Sequence, residues 1–243
     1  MDTLPENIYV VGYRRSATVW LSHLLGDALN APIGGAIEAW DPTDIATYGS
    51  GRESKYFIRR GHFLVVKNNR ETNGHIMAFS AIRRSKVFLI VRDPRDVVVS
   101  VSHFWRIPIE SALHWITEGK SEMNRTGSWC SFMDSWLDSG IEVQRVYYES
   151  LYKDTSTVLK EITENTGISA SSEALKWSVE RNTYAQRRVR IITDEITHAK
   201  GRAFLFRHMV QPAVGEWKNY MLHTGMLTRL EVCFGNLLSY FGY

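Results

Sequence analysis

Residues 87–105 read VFLIVRDPRDVVVSVSHFW. The first five form an unbroken apolar run, which suits a strand buried on both faces. Asp93 then precedes Pro94, setting a capping side chain before a residue suited to the first helical position, so RDVVVSVSHFW is expected to be helical. Arg92 thus ends a buried strand, while Ser100 lies two turns inside the helix that follows. The two can converge on one phosphate if that helix runs beside it. The plainer alternative is that Arg92 pairs with Asp96, as strand-end arginines often do.

The same plan occurs earlier in the chain. IYVVG (8–12) is a second apolar run, and after it Trp20, Leu21, Leu24, Leu25, Ala28 and Leu29 recur at spacings of three and four, the stripe of an amphipathic helix. Further strand candidates are FLVVK (63–67) and VQRVYY (143–148), with KVFLIV (86–91) beginning the stretch quoted above. Segments 108–120, 127–139, 154–166 and 170–182 have helical character, and Leu227, Leu230, Phe234, Leu237 and Leu238 mark a last helix ending near Gly242. Alternating strands and helices imply an α/β fold, one domain over residues 1–243 with a mostly parallel central sheet flanked by helices. The stretch 183–216, rich in Arg, Thr and Gly, is the candidate for a long functional loop or lid.

Bulk properties narrow the function classes. The 243 residues suffice for one sizeable core, and no linker-like stretch divides them. With 29 Lys and Arg against 26 Asp and Glu, the net charge of +3 does not announce a nucleic-acid binder, so an anion site must be local. Cys130 and Cys233 lack metal-ligand spacing, and no run approaches membrane-spanning length. The expectation is a cytoplasmic protein that binds no metal, nucleic acid or membrane, with a homodimer left open.

A strand–turn–helix unit presents unpaired backbone N–H groups where the helix dipole also favours negative charge. In the first unit that turn is YRRSATVW (13–20), which lacks the GK[ST] triplet of the nucleotide-triphosphate loop. It resembles the YPKSGTTW loop of the sulfotransferases that use 3′-phosphoadenosine 5′-phosphosulfate (PAPS) as donor and release the 3′,5′-bisphosphate PAP. Tyr13, Ser16, Thr18 and Trp20 match directly, whereas Arg14, Arg15, Ala17 and Val19 replace proline, lysine, glycine and threonine. The stretch from Arg92 resembles the second signature of that family, RNPKDVAVSYYHF, through Arg92, Pro94, Asp96, Val97, Val99, Ser100, His103 and Phe104. VYYESL (146–151) is similar to VxYEDL, and VGEWKNYM (214–221) to the end of RKGxxGDWKN.

The resemblance implies a P-loop-like sulfotransferase fold and a set of roles. Arg14, Arg15, Ser16, Ala17, Thr18 and Val19 would hold the 5′-phosphosulfate, with Arg15 in the lysine's place as stabiliser of the leaving phosphate and Trp20 against the adenine. Arg92 and Ser100 would bind the 3′-phosphate, and Tyr148 would lie near the nucleotide. Arg207, or else Arg202, would supply the charge that Val210, Gln211 and Pro212 lack. The implied reaction moves a sulfonate group to a hydroxyl or nitrogen of a small-molecule acceptor, with a microbial natural product as one candidate class.

The proton acceptor is less evident. Many members place the histidine of a KTH motif after the second strand, and counting back from Arg92 puts that position in VVKNNRETNGH (65–75). Lys67 matches the lysine, but Asn69 stands where histidine is expected; it can orient an acceptor yet cannot act as a base near neutral pH. Either another group serves, with His75, Glu71 and Glu38 as candidates, or the acceptor is already nucleophilic, or the protein binds PAPS or PAP without catalysis. A nucleotide-dependent kinase is the remaining alternative. His62, His103, His114, His198, His208 and His223 show no catalytic spacing and are expected to be structural or exposed. Trp129, Phe132, Met133 and Trp136 form a helical stripe that reads as core, and RRVR (187–190) as a solvated run or a segment closing over the donor.

Overall fold

Strand β1, Glu6–Gly12, runs through the middle of the molecule, and its side chains alternate between two apolar layers. Ile8 and Val10 enter one core, and Tyr9 and Val11 the other. The computed structural model describes residues 6–36, 46–49, 51–62, 82–119, 126–192, 213–221 and 225–243. Within these, β1 is joined by β2 (Ile33–Ala36), β3 (Ala46–Tyr48), β4 (Tyr56–Gly61), β5 (Lys86–Val91) and β6 (Gln144–Tyr147) in a six-stranded sheet of order β3-β2-β4-β1-β5-β6. All neighbours are parallel except β3, which pairs antiparallel with β2 at the edge. The expected α/β fold with a mostly parallel sheet is what forms.

Burial on both faces explains why β1 and β5 read as continuous apolar runs. On one face, Leu21, Leu24 and Leu25 of helix α1 (Thr18–Ala28) pack on Ile8, Val10, Ile58, Phe88 and Ile90. On the other, Val97, Val98 and Val101 of α2 (Pro94–Trp105) pack on Val87, Leu89 and Val91. Each such fully buried aliphatic side chain contributes roughly 1.5–3 kcal/mol. The helices following β1 and β5 therefore lie on opposite faces, leaving a crevice at the carboxyl ends of these adjacent strands, the place where ligands bind in open α/β sheets.

Five of the remaining helices fall close to the predicted segments, α3 (Ile109–Glu118), α4 (Trp129–Leu137), α6 (Thr155–Asn165), α7 (Ser172–Arg181) and α10 (Met226–Phe241), and three were not expected, α5 (Tyr148–Lys153), α8 (Tyr184–Ile192) and α9 (Lys218–Met221). The stripe of Trp129, Phe132, Met133 and Trp136 is core. The neighbours of β1 are β4 and β5, and the strand expected at 63–67 lies outside the described residues. Two local expectations need correction. Tyr148 opens α5 instead of ending a strand, because its side chain turns into the α1 core. Part of 183–216, read as irregular, is the amphipathic helix α8, whose exposed Arg and Gln face concealed its period.

Candidate active site

The turn after β1 is shaped by its backbone. Gly12 is crowded, since a Cβ there would lie 3.0 Å from both the Ile90 carbonyl oxygen and Thr18 Cγ2. Arg15 and Ala17 hold left-handed conformations, with φ of 69° and 71°, the kind of geometry from which anion-binding backbone nests are made. Ala17 is the N-cap of α1, and no side chain caps the helix, so its first N–H groups face the turn without a side-chain acceptor.

Arginines from two elements meet at this turn. Arg92, at the end of β5, donates from Nη1 to the Arg15 carbonyl (2.9 Å) and from Nη2 to the Ala213 carbonyl (3.1 Å), and its guanidinium covers the Tyr148 ring at 4.3 Å. It does not pair with Asp96, whose carboxylate accepts from the Gly215 and Trp217 amides at 2.7 and 3.0 Å. Arg15 donates from Nε to Ser100 Oγ (3.1 Å) and lies over the Phe104 ring at 4.5 Å. Burial and the neighbouring Arg92 charge push Arg15 down to about 10, so it stays cationic near neutral pH. Arg14 donates from Nε to Thr126 Oγ1 at 3.2 Å, with its charge still felt at His62. The structure thus brings the turn, Arg92, Ser100 and Tyr148 together. Lys67, Asn69, His75, Glu71, Glu38, Arg202 and Arg207 lie outside the described residues.

Three polar atoms here are buried and, among the described residues, lack a hydrogen-bond partner: Ser16 Oγ, Arg92 Nε and Tyr148 OH. Each orphaned group costs about 1–3 kcal/mol in a finished interior. Buried donors beside a capless helix start and two guanidiniums fit a polyanion.

His62 was not singled out by its sequence context, yet it stands beside this turn. It follows the last residue of β4, and its Nδ1 lies 2.7 Å from the Gly12 carbonyl oxygen. That carbonyl can only accept, so Nδ1 carries the proton and Nε2 keeps its lone pair, 3.5 Å from Thr18 Oγ1. Burial pushes the ring down to about 4; the Gly12 bond opposes it, and the charges of Arg14, Arg60 and Arg15 add lesser downward effects. Arg60, two residues earlier, is itself lowered by burial. Arg60-Gly61-His62 has the basic-x-His spacing of KTH at the end of the strand beside β1. The signal was present in the sequence but was hidden by counting back from Arg92 to Lys67 for the lysine of that motif.

Trp20 is half-buried on the first turn of α1, edge-on to Tyr148 with ring centroids 6.4 Å apart, and its indole N–H donates to the Asn182 carbonyl at 3.1 Å. Val19 lies in the first turn of α1, its carbonyl accepting from Ser22 Oγ at 2.9 Å. Among the described residues no group of His, Cys, Asp and Glu could hold a metal ion. No helix among them is long and apolar enough to cross a membrane.

Comparison with known proteins agrees with this geometry. Sulfotransferase 6B1 of Pan troglodytes is 31% identical over 227 residues, covering 88% of this chain and 70% of that protein. Amine sulfotransferase of Oryctolagus cuniculus is 21% identical over 235 residues, 89% of this chain and 75% of its own. Among solved structures, mouse sulfotransferase SULT7A1 complexed with PAP superposes with a TM-score of 0.69 at 20% identity, covering 98% of this chain and 85% of that one. Retinol dehydratase in complex with androsterone and the inactive cofactor PAP gives 0.66 at 15% identity, covering 98% and 82%. Residues 5–242 match the sulfotransferase domain model, and the chain belongs to the sulfotransferase family, enzymes that transfer sulfonate groups.

Proposed function

We propose that the protein, as one sulfotransferase domain over residues 1–243, transfers sulfonate from PAPS to a hydroxyl or nitrogen of a small-molecule acceptor, releasing PAP. The observation that carries this reading is the pair of anion positions joined by Arg15: its backbone belongs to the turn and its side chain reaches Ser100, while Arg92 holds its carbonyl. The donor carries a phosphosulfate and a 3′-phosphate, which match those two positions, and it supplies an activated sulfonate with a phosphate leaving group. Arg15, Ser16, the amides from Ala17 to Trp20 and the Thr18 hydroxyl would hold the phosphosulfate. Arg92 and Ser100 would hold the 3′-phosphate, with Trp20 and Tyr148 flanking the nucleoside. The cations at the cradle are already in place and need no reorganisation as charge grows on the leaving phosphate.

The His62 ring is the base in this reading, in place of the residues near 69–75. Its Nε2 lone pair faces the site, and its other nitrogen is fixed on Gly12. Burial, with smaller help from the arginine charges, keeps the ring neutral before the anionic donor enters; that donor's charge then raises its basicity when a proton must be taken from the acceptor. Arg60 would face the transferred group. Acceptors carrying phenolic, alcoholic or amine nucleophiles are the class proposed, with natural products among them, in a cytoplasmic setting suited to the two unpaired thiols. The test is transfer of label from sulfur-labelled PAPS to a panel of phenols, alcohols and amines. Turnover that falls about 100-fold or more in His62→Ala supports the assignment; near-full turnover in that variant overturns the base, and no turnover on any acceptor favours a binding protein.

A further inference from the structure

On the α1 face, away from the phosphate cradle, lies a buried polar cluster that the reaction does not use. Asp27, near the end of α1, has a fully buried carboxylate. Its Oδ1 accepts from Arg52 Nη2 at 2.7 Å, and its Oδ2 accepts from Asn182 Nδ2 at 2.8 Å, with Arg181 Nε at 3.6 Å. Arg52 also donates to the Gly26 carbonyl at 2.9 Å, closing over the end of α1. Asn182 is 1% exposed, and its amide also donates to the Ser178 carbonyl at 2.9 Å. Ser178 Oγ in turn donates to the Leu24 carbonyl at 2.6 Å, so α7 is stitched to α1 twice.

The cluster reaches toward the candidate active site through Asn182. The Asn182 carbonyl accepts the Trp20 indole N–H at 3.1 Å, and Trp20 stands edge-on to Tyr148, the ring covered by Arg92. An indole has a single donor, and the rotation of the ring is set by where that donor is satisfied. We infer that Asn182, held by Asp27, is a positioning residue that fixes the Trp20 ring plane and thereby the surface offered to the purine base of the donor. Burying a carboxylate against two arginines and an amide is costly for stability alone, since an apolar replacement often does as well. A fixed plane explains the arrangement, because the carbonyl that receives the indole belongs to the same residue whose side chain the carboxylate grips. The inference rests on the reading that Trp20 lies against the nucleoside.

The experiment compares PAP with ribose 3,5-bisphosphate, which has the phosphates without the base, by calorimetry on the full chain. Trp20→Ala should weaken PAP by about tenfold, the usual loss for a base-stacking ring, and leave the base-free ligand within about twofold. Asn182→Ala should show the same selective pattern at about fivefold on the same scale. Asn182→Asp preserves side-chain shape but sets like charge against Asp27, and its selective loss should be at least as large. Selective loss in both Asn182 variants supports the inference. Equal loss of both ligands, or no loss in either variant while Trp20→Ala remains selective, overturns it. No effect of Trp20→Ala on PAP removes instead the placement of Trp20 on which it rests. Should Asn182→Ala not be recovered folded, Asn182→Asp alone decides between these outcomes.

Discussion

Ala17 holds a φ of 71° at the N-cap of α1, a position where the sulfotransferase loop that this turn resembles has glycine. A Cβ in the left-handed region costs roughly 1–2 kcal/mol, and glycine returns part of that through its freer unfolded chain, about 0.5–1 kcal/mol. Ala17→Gly should therefore raise the urea midpoint by a margin worth about 0.5–1 kcal/mol; a lowered midpoint would show that the methyl group makes a contact that matters more than strain. At Arg92, replacement by Ala should weaken PAP by about 1.5–3 kcal/mol, the range for a charge-assisted hydrogen bond. An unchanged affinity in the folded variant would remove Arg92 from the site. His62 carries a pH signature. Its folded value near 4 lies below the ordinary 6.5, so the unfolded chain takes up the proton first as pH falls. Stability from this residue is complete above about pH 6.5 and drains toward pH 4, by about 2–3 kcal/mol in total. The difference in unfolding free energy between the parent and His62→Gln should shrink by that amount between pH 7 and 4, and a constant difference would contradict the buried, neutral imidazole.

At the scale of elements, two carboxylates at the start of α2 have separate duties. Asp93 caps the helix, accepting from the Arg95 amide at 2.9 Å, while its own amide donates to Glu149 at 2.9 Å. Asp96 instead reaches across to the Gly215 and Trp217 amides, fixing the segment that also gives its Ala213 carbonyl to Arg92. Asp93→Ala should cost about 1 kcal/mol or somewhat more in stability, with PAP affinity changed less. Asp96→Ala should reduce PAP affinity as well, because Arg92 loses the support of its second carbonyl. Equal effects of the two variants on both quantities would contradict the division. These elements were largely legible: the buried runs at 8–12 and 86–91, the Asp-Pro cap and the leucine stripe of α1 each carry a local signal. β4 was not, since YFIRRG (56–61) holds two arginines, one bonded to Asn7 on the neighbouring strand, and FLVVK is the more apolar neighbour. His62 was missed as well, because its contacts are with the Gly12 carbonyl and Thr18, fifty and forty-four positions away in sequence. The partners of Asp27 and Asp96 are equally non-local and leave no mark in spacing.

For the molecule as a whole, the order β4-β1-β5 with helices leaving on opposite faces fixes where a ligand enters. Arg14, Arg15, Arg60 and Arg92 gather near that crevice although the chain carries a net charge of only +3, so the attraction for anions is local and not a property of the entire surface. Burial of the orphaned Ser16, Arg92 and Tyr148 polar atoms at one place makes the same point. The central claim is that this crevice takes an adenine nucleotide phosphorylated at both ends of its ribose. Calorimetric titration of the protein with PAP and with ADP, in a buffer containing a chelator of divalent cations, tests it most directly. PAP is expected to bind at least about tenfold more tightly than ADP, the worth of one charge-assisted contact to the 3′-phosphate. ADP binding as tightly as PAP, or PAP binding that disappears with the chelator, would contradict it.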